Sequence, residues 1–452
     1  MKKIISVALV ACMLLTSVCL LASCGGTGEP GVPNVNGAIV DFDLTGCKVY
    51  FDAAMSISAQ QKANGVIDAL RELSTVSVRG QKVTNDGEEY TLDEPAILIG
   101  DTGYRESNSV INGLGEYGWA ISVQGNKLVI AGSNSFFTRV AIAYFTTHYL
   151  NEDCVKGATL SLNKSVDLKN IGKKAVVEND ESEYAIVYSH LTDGVNNPGY
   201  GSKDPETQGG PATDYIFDVS TDIRTLMANA ADVMKGTFAQ KTDLDAAADY
   251  EVLIGNMDRA EYKEELNKLT VNEYGVLIKN GKAMLLAWND VALKGAHDLF
   301  KDLIAACTEE DDEGNSTLYF PTDFSVTEEL ADGWAIDFPK PEATNLYLDG
   351  TVDVGDNSIE YIYAGTGANE ENYLSYCETL EDAGYELIDE NNKPLNTQNI
   401  FRYYVNEETG STLYVYYSPC FYVWRCLSLP LLARAIHKTY PQRRGLTTTS
   451  FF

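Results

Sequence analysis

The stretch ILIGDTGYRES, residues 97–107, returns as VLIGNMDRAEY, residues 252–262. The first is followed by YGWAISVQGNKLVIAGSNSFFTRVAIAYF, from Tyr117 to Phe145, and the second by YGVLIKNGKAMLLAWNDVALKGAHDLF, from Tyr274 to Phe300. Gly100 and Gly255 lie 155 positions apart, as do Phe145 and Phe300, and a two-residue slip between them is made up before the end. Duplication of one unit is the economical reading.

Working outward, each copy predicts the same elements in the same order. CKVYFDA (47–53) and YAIVYSH (184–190) are opening strands, rich in β-branched and aromatic residues. A helix follows in each, carried by Ala63, Val66, Ile67 and Leu70 in the first and by Ile223, Leu226, Met227 and Ala230 in the second. Then come the ILIG or VLIG strand and a polar segment. A hairpin follows, whose turns, QGN at 124–126 and NG at 280–281, tolerate positive φ. A closing helix puts Phe137, Val140, Ala141, Tyr144 and Phe145 on one face of the first copy. Strands alternating with helices imply an α/β layer. The fold expected is therefore α/β, with copies at 46–170 and 180–335, each a sheet covered by helices. A small α+β module at 346–418 follows, with one helix ending at Gly384 over four strands.

The N-terminus reads as address rather than fold. Lys2 and Lys3 precede an apolar run from Ile4 to Leu21, and small residues Ala22 and Ser23 precede Cys24, the order of a secretory signal. Leu21-Ala22-Ser23-Cys24-Gly25 resembles a lipobox, the bacterial motif whose cysteine receives a diacylglycerol before cleavage. Residues 1–23 are then a signal peptide, Cys24 the lipidated residue, and 24–45 a tether rich in Gly and Pro. What the anchor implies is an extracytoplasmic lipoprotein on the cell membrane, with membrane lipid as its first partner.

Composition narrows the rest. The 452 residues carry a formal charge of −31, which repels phosphate polyanions and excludes nucleic acid as a partner. Of nine cysteines, Cys12 and Cys19 leave with the signal and Cys24 is lipidated. Cys307, Cys377, Cys420 and Cys426 read mostly as single buried thiols, and Cys47 with Cys154 is the one disulfide candidate. From Pro419 to Phe452 there is no Asp or Glu, although the chain holds 65. That tail, with Arg425, Arg434, Lys438, Arg443 and Arg444, is either a shifted reading frame, disordered as a result, or a basic segment for anionic lipid or cell-wall polymer.

With its Gly-Asp motif, hairpin and Ala/aromatic helix, the body resembles the N-terminal accessory domains of bacterial β-hexosaminidases and α-glucuronidases, over 46–150 and more weakly over 184–306. In those families the domain is non-catalytic and packs beside a (β/α)8 barrel, for which the chain after the second copy is too short. The third region resembles a module that precedes a metallo-β-lactamase-fold hydrolase in clostridial-type surface lipoproteins. That hydrolase's His-x-His-x-Asp-His motif is absent here, so the resemblance implies either a scaffold or the truncated front of such an enzyme.

Candidate sites are few. His148, His190, His297 and His437 are isolated in sequence, and His148 reads as a packed or hydrogen-bonded core histidine at the position of Leu303. The loop at 196–215 is the best local candidate for binding, with a surface insertion as the plainer reading. EEDDEGN at 309–315 lacks EF-hand spacing and reads as a solvated charge run. No P-loop, nucleotide-binding glycine fingerprint, Gly-x-Ser-x-Gly elbow or zinc-type Cys/His spacing occurs. The expectation is a surface lipoprotein without catalytic residues, cofactor or metal. It acts as a scaffold or carbohydrate-associated binding module, with carbohydrate or cell-wall polymer as its further partner. A solute-binding lipoprotein is the other reading, and the 27 tyrosines suit sugar stacking as well as strands.

Overall fold

The computed structural model describes residues 32–169, 171–188, 234–255, 257, 259–331, 333–334, 338–355, 358–390, 400–418 and 423–430. The chain divides into two compact units, one of residues 1–179, 277–281 and 302–326 and one of 180–276, 282–301 and 327–452. The architecture is the expected α/β one, sheets accompanied by six described helices.

In the first unit the main sheet runs in the order Asn34–Asp43, Thr159–Leu168, Trp119–Gln124, Lys127–Gly132, Ala96–Ile99, Lys48–Asp52, Arg79–Val83, with Val155–Lys156 added beside Thr159–Leu168. The last four main strands are mutually parallel, and the others join antiparallel. Helix α1 (Ile57–Leu73) buries Ala59, Ala63, Val66, Ile67 and Leu70, and the Ser56 hydroxyl caps it by accepting from the Ala59 amide. Helix α2 is Arg105–Ile111 and α3 is Ser135–Tyr149; the Asn134 side chain caps α3 by accepting from the Phe136 and Phe137 amides. Ile97, Leu98 and Ile99 are wholly buried, which explains the unbroken apolar run: a parallel strand covered on both faces has no solvent side to alternate with.

The second α/β sheet repeats that order. Compared strand for strand, Arg79–Val83 corresponds to Thr237–Thr242, Lys48–Asp52 to Glu181–Tyr188 and Ala96–Ile99 to Glu251–Ile254. Lys127–Gly132 corresponds to Lys282–Ala287, Trp119–Gln124 to Glu273–Lys279 and Thr159–Leu168 to Phe324–Glu329. Helices α4 (Ala260–Leu266) and α5 (Asp290–Cys307) stand where α2 and α3 do in sequence order. Lys127 and Lys282 open equivalent strands, again 155 positions apart, so the two-residue slip falls between Gly100 and Lys127. The hairpins differ in turn chemistry. Gly125 alone has positive φ (63°) in the first, whereas Asn280 and Gly281 both do (51° and 78°) in the second. The helix expected from Ile223 to Ala230 lies outside the described residues.

At the start of the second sheet's central strand, Glu251 is wholly buried. It accepts from Lys282 Nζ at 2.8 Å, Arg259 Nη2 at 3.5 Å and the Ala248 amide at 2.9 Å. Ala96 holds the equivalent place in the first sheet, opposite Lys127. A polar trio in one copy stands where the other pairs Ala96 with Lys127.

The C-terminal sheet has six strands, ordered Tyr347–Gly355, Ser358–Ala364, Val423–Pro430, Ser411–Ser418, Ile400–Asn406, Glu386–Glu390. Helix α6 (Glu370–Asp382) buries Tyr373, Tyr376, Cys377 and Leu380. Gly384 ends it with φ 88°, its amide donating to Glu381 O and that of Tyr385 to Leu380 O, a Schellman closure.

Four expectations change. The tail at 419–452 supplies Val423–Pro430, a central strand, so disorder is corrected for those residues; 431–452 lie outside the described residues. Half of the tether is also strand: Asn34–Asp43 pairs with Thr159–Leu168 across an irregularity between Asn36 and Ile39. Cys47 and Cys154 are both free, Cys47 buried with its thiol towards Lys48 O and Cys154 towards His148 O, so the disulfide candidate is not formed. His148 is exposed rather than in the core, as Thr146 and Thr147 beside it are, while Tyr149 in the same turn is buried. Its ring stacks on Tyr144 at 3.9 Å and its Nδ1 lies 2.9 Å from Tyr144 O. Among the described residues no helix is long and apolar enough to cross a membrane.

Candidate functional site

In an open parallel sheet, ligands bind outside the carboxyl ends of the strands where the chain order reverses. In the first sheet that place is fixed by Lys48–Asp52, which pairs with its successor Arg79–Val83 on one side and with Ala96–Ile99 on the other. Connections therefore leave the ends of Lys48–Asp52 and Ala96–Ile99 in opposite directions, which makes these ends the switch point of the sheet.

Asp52 ends one of these strands and Asp101 follows the other by two residues. The Asp52 side chain is buried and accepts from the Ala54 amide at 2.8 Å. Gly100 turns the chain with φ 78°, and a Cβ there would stand 3.0 Å from Met55 Sδ and 3.2 Å from Asp52 Cβ. Only glycine lets the two strand ends approach this closely. Asp101 is exposed and takes a hydrogen bond from Asn85 Nδ2 at 2.7 Å, while Asn85 Oδ1 receives the Gly87 amide at 2.9 Å. Ser107 donates to Gly100 O, and the Thr102 hydroxyl, 1% exposed, has no hydrogen-bond partner.

Burial pushes the Asp52 carboxyl above its ordinary range, against the Ala54 hydrogen bond, and the Asp101 charge pushes the same way. The arrangement places a buried carboxyl, an exposed one and an amide near the carboxyl ends of two neighbouring strands. A consequence is measurable. Folded Asp52 holds its proton to higher pH than the unfolded chain, so as pH rises from the ordinary carboxylate value to the raised one the native state loses stability. Asp52→Asn keeps an oxygen for the Ala54 amide and removes the charge. We expect a higher urea midpoint than the parent at pH 7 and an equal one at pH 3; equal midpoints at both would contradict the buried-charge account.

The equivalent strand ends of the second sheet lie at Tyr188 and Gly255, whose φ is 84°; residues 189–233, 256 and 258 are outside the described ones. So are Cys24, His190, the loop at 196–215 and His437. Of the remaining histidines, His297 is buried in α5 with no hydrogen-bond partner for Nε2, and burial lowers its pKa. His148 and His297 stand on separate helices. The acidic run is spent on a hairpin between Thr308–Glu310 and Ser316–Pro321. Asp311 accepts from the amides of Glu313 and Asn315 and from Asn315 Nδ2, and Glu309 binds Lys173 and the Tyr117 hydroxyl. Among the described residues no three His, Cys, Asp or Glu side chains are placed to hold a metal ion. Asp52 and Asp101 were not singled out from sequence. The signal that could have found them is an acid at the carboxyl end of each of two apolar strands, in FDA and IGD.

No family model matches the chain, and no curated protein matches it. Among solved structures it is similar to CpGH84D, with 13% identity over 55% of this chain and 41% of that one and a TM-score of 0.22. It is similar to a family GH115 4-O-methyl-α-glucuronidase with specificity for decorated arabinogalactans, at 14% identity over 45% of this chain and 26% of that one, TM-score 0.20. It is also similar to a family GH20 exo-β-N-acetylglucosaminidase from Vibrio harveyi, at 10% identity over 50% of this chain and 24% of that one, TM-score 0.21. The chain spans less than half the length of each of these glycoside hydrolases, and a likeness of this extent says nothing of its chemistry.

Proposed function

We propose that this protein is a lipoprotein held on the extracytoplasmic face of the cell membrane by acyl chains on Cys24. Its two α/β domains, over 46–170 and 180–335, and its C-terminal module serve as a non-catalytic scaffold that engages carbohydrate or cell-wall polymer. The observation that carries this reading is the order Lys2-Lys3, apolar Ile4 to Leu21, then Leu21-Ala22-Ser23-Cys24. Each buried methylene of an acyl chain contributes roughly 0.8 kcal/mol, so two chains on one sulfur hold a protein of this size at a bilayer.

A scaffold role is supported by what the fold does with its buried polar groups. Glu251 is spent on Lys282 and Arg259, Lys127 donates to Asn126 Oδ1, and Glu328 accepts from the Tyr274 hydroxyl. Each serves the packing of its own domain. Feeding cells an alkyne-tagged fatty acid should label the parent protein and leave Cys24→Ser unlabelled. A parent that takes up no label would refute the anchor.

A further inference from the structure

The face of the C-terminal sheet away from α6 buries Ile362, Val405 and Thr412 and beside them carries four half-buried aromatic rings on two adjacent strands. On the covered side, Tyr404, Leu413, Val415 and Tyr417 are buried, with the Tyr373 hydroxyl of α6 donating to Val415 O. The alternate positions belong to the other face. There stand Phe401 opposite Tyr416 and Tyr403 opposite Tyr414, all four half-buried, keeping part of each ring in solvent. Phe401 and Tyr414 lie 5.3 Å apart at 27°, and Tyr414 and Tyr416 are 6.0 Å apart. Rings of this size left partly wet on one contiguous patch mark a contact surface.

The register shows what flanks them. One row across the sheet reads Asp389, Tyr403, Tyr414, Leu427, Glu360, so a carboxylate stands at each side of the tyrosine pair. Glu360 accepts from the Tyr416 hydroxyl at 3.1 Å, and Tyr414 is raised in pKa by burial and by the charge of Asp389.

We propose that this face is a stacking platform for a neutral, hydroxyl-rich polysaccharide, an assignment that rests on the carbohydrate-associated reading above and gives it a location. Flat rings match the C–H faces of pyranose sugars, whose hydroxyls around the ring edge are donors to the flanking carboxylates. The overall charge of −31 selects against a polyanionic chain. Two rows of rings on adjacent strands form a track for a chain rather than a pocket for a single sugar.

Affinity electrophoresis of the detergent-solubilised full-length protein tests this, with hydroxyethyl cellulose, galactomannan or xylan in the gel and polygalacturonate as the anionic control. The parent should be retarded by at least one neutral polysaccharide and not by polygalacturonate. Tyr414→Ala and Tyr403→Ala should each weaken retardation roughly tenfold, and Tyr414→Phe, which keeps the ring, should retain it. Circular dichroism and urea midpoints equal to the parent's establish that the variants are folded. If Tyr414→Ala does not fold, Tyr403→Ala decides. Retardation of the parent that both alanine variants keep in full overturns the platform and leaves the carbohydrate reading standing. No retardation by any neutral polysaccharide overturns both. Self-association of the parent that Tyr414→Ala abolishes, without glycan binding, would instead assign the face to a second copy of the chain and overturn the proposal.

Discussion

Glu251→Ala is expected to destabilise the second α/β domain by about 3–5 kcal/mol, because removing one partner of a buried ion group strands the others without water. Lys282 and Arg259 would keep their charges with side chains 11% and 10% exposed. Lys282 Nζ would retain Ala248 O, and Arg259 Nη1 would retain Asp243 O at 2.8 Å, neither of which neutralises a cation. The Arg259 Nε already has no hydrogen-bond partner, so the guanidinium has little reserve. Adding Lys282→Met to Glu251→Ala should recover part of the loss, since it removes one of the two stranded charges. Urea unfolding followed by circular dichroism measures both. A loss below about 1 kcal/mol for the single variant would show that water reaches the trio.

Phe137→Ala is expected to cost the first unit about 3–5 kcal/mol through the cavity it leaves. Phe137 is wholly buried at the start of α3, stacked on Tyr117 at 5.6 Å and edge-on to Phe136 and Phe324 at 5.3 and 5.8 Å. It is the hub of that aromatic group, and its neighbours are fixed by other contacts and cannot collapse into the space. Tyr117, for one, is tied through its hydroxyl to Glu309. Phe137→Leu, which keeps most of the volume, should cost less than half as much. The same unfolding measurement applies, and equal losses for the two variants would mean that shape rather than volume governs the site.

Much of this fold is legible in the sequence, and for a physical reason. Ile97 to Ile99 and Val252 to Ile254 are apolar without alternation because both faces of each strand are covered. Ala63, Val66, Ile67 and Leu70 keep helical spacing because one side of α1 meets the sheet. The Asn134 cap, the Asn280-Gly281 turn and the Gly384 closure are local chemistry, readable within a few residues.

What was not legible depended on residues far apart. Asn34–Asp43 contains two Asn and a Gly and has the composition of a linker; it is a strand because Thr159–Leu168 pairs with it. Val423–Pro430 was obscured by the abrupt loss of acidic residues, yet pairing depends on backbone and register, and its neighbours Ser358–Ala364 and Ser411–Ser418 supply both. His148 has the spacing of a core residue, yet in the last turn of α3 it is Tyr149 that is buried. The Asp52 and Asp101 strand ends are neighbours because Lys48–Asp52 pairs with Ala96–Ile99, which no local window contains.

The proposed anchor requires that acyl chains on one sulfur keep the whole chain at the membrane. Fractionating cells that express Cys24→Ser and its parent tests it most directly. The account predicts that the parent sediments with membranes and is released by detergent but not by high salt or carbonate, whereas the processed body of Cys24→Ser is soluble. A Cys24→Ser chain that has lost residues 1–23 and still sediments with membranes as fully as the parent would contradict it.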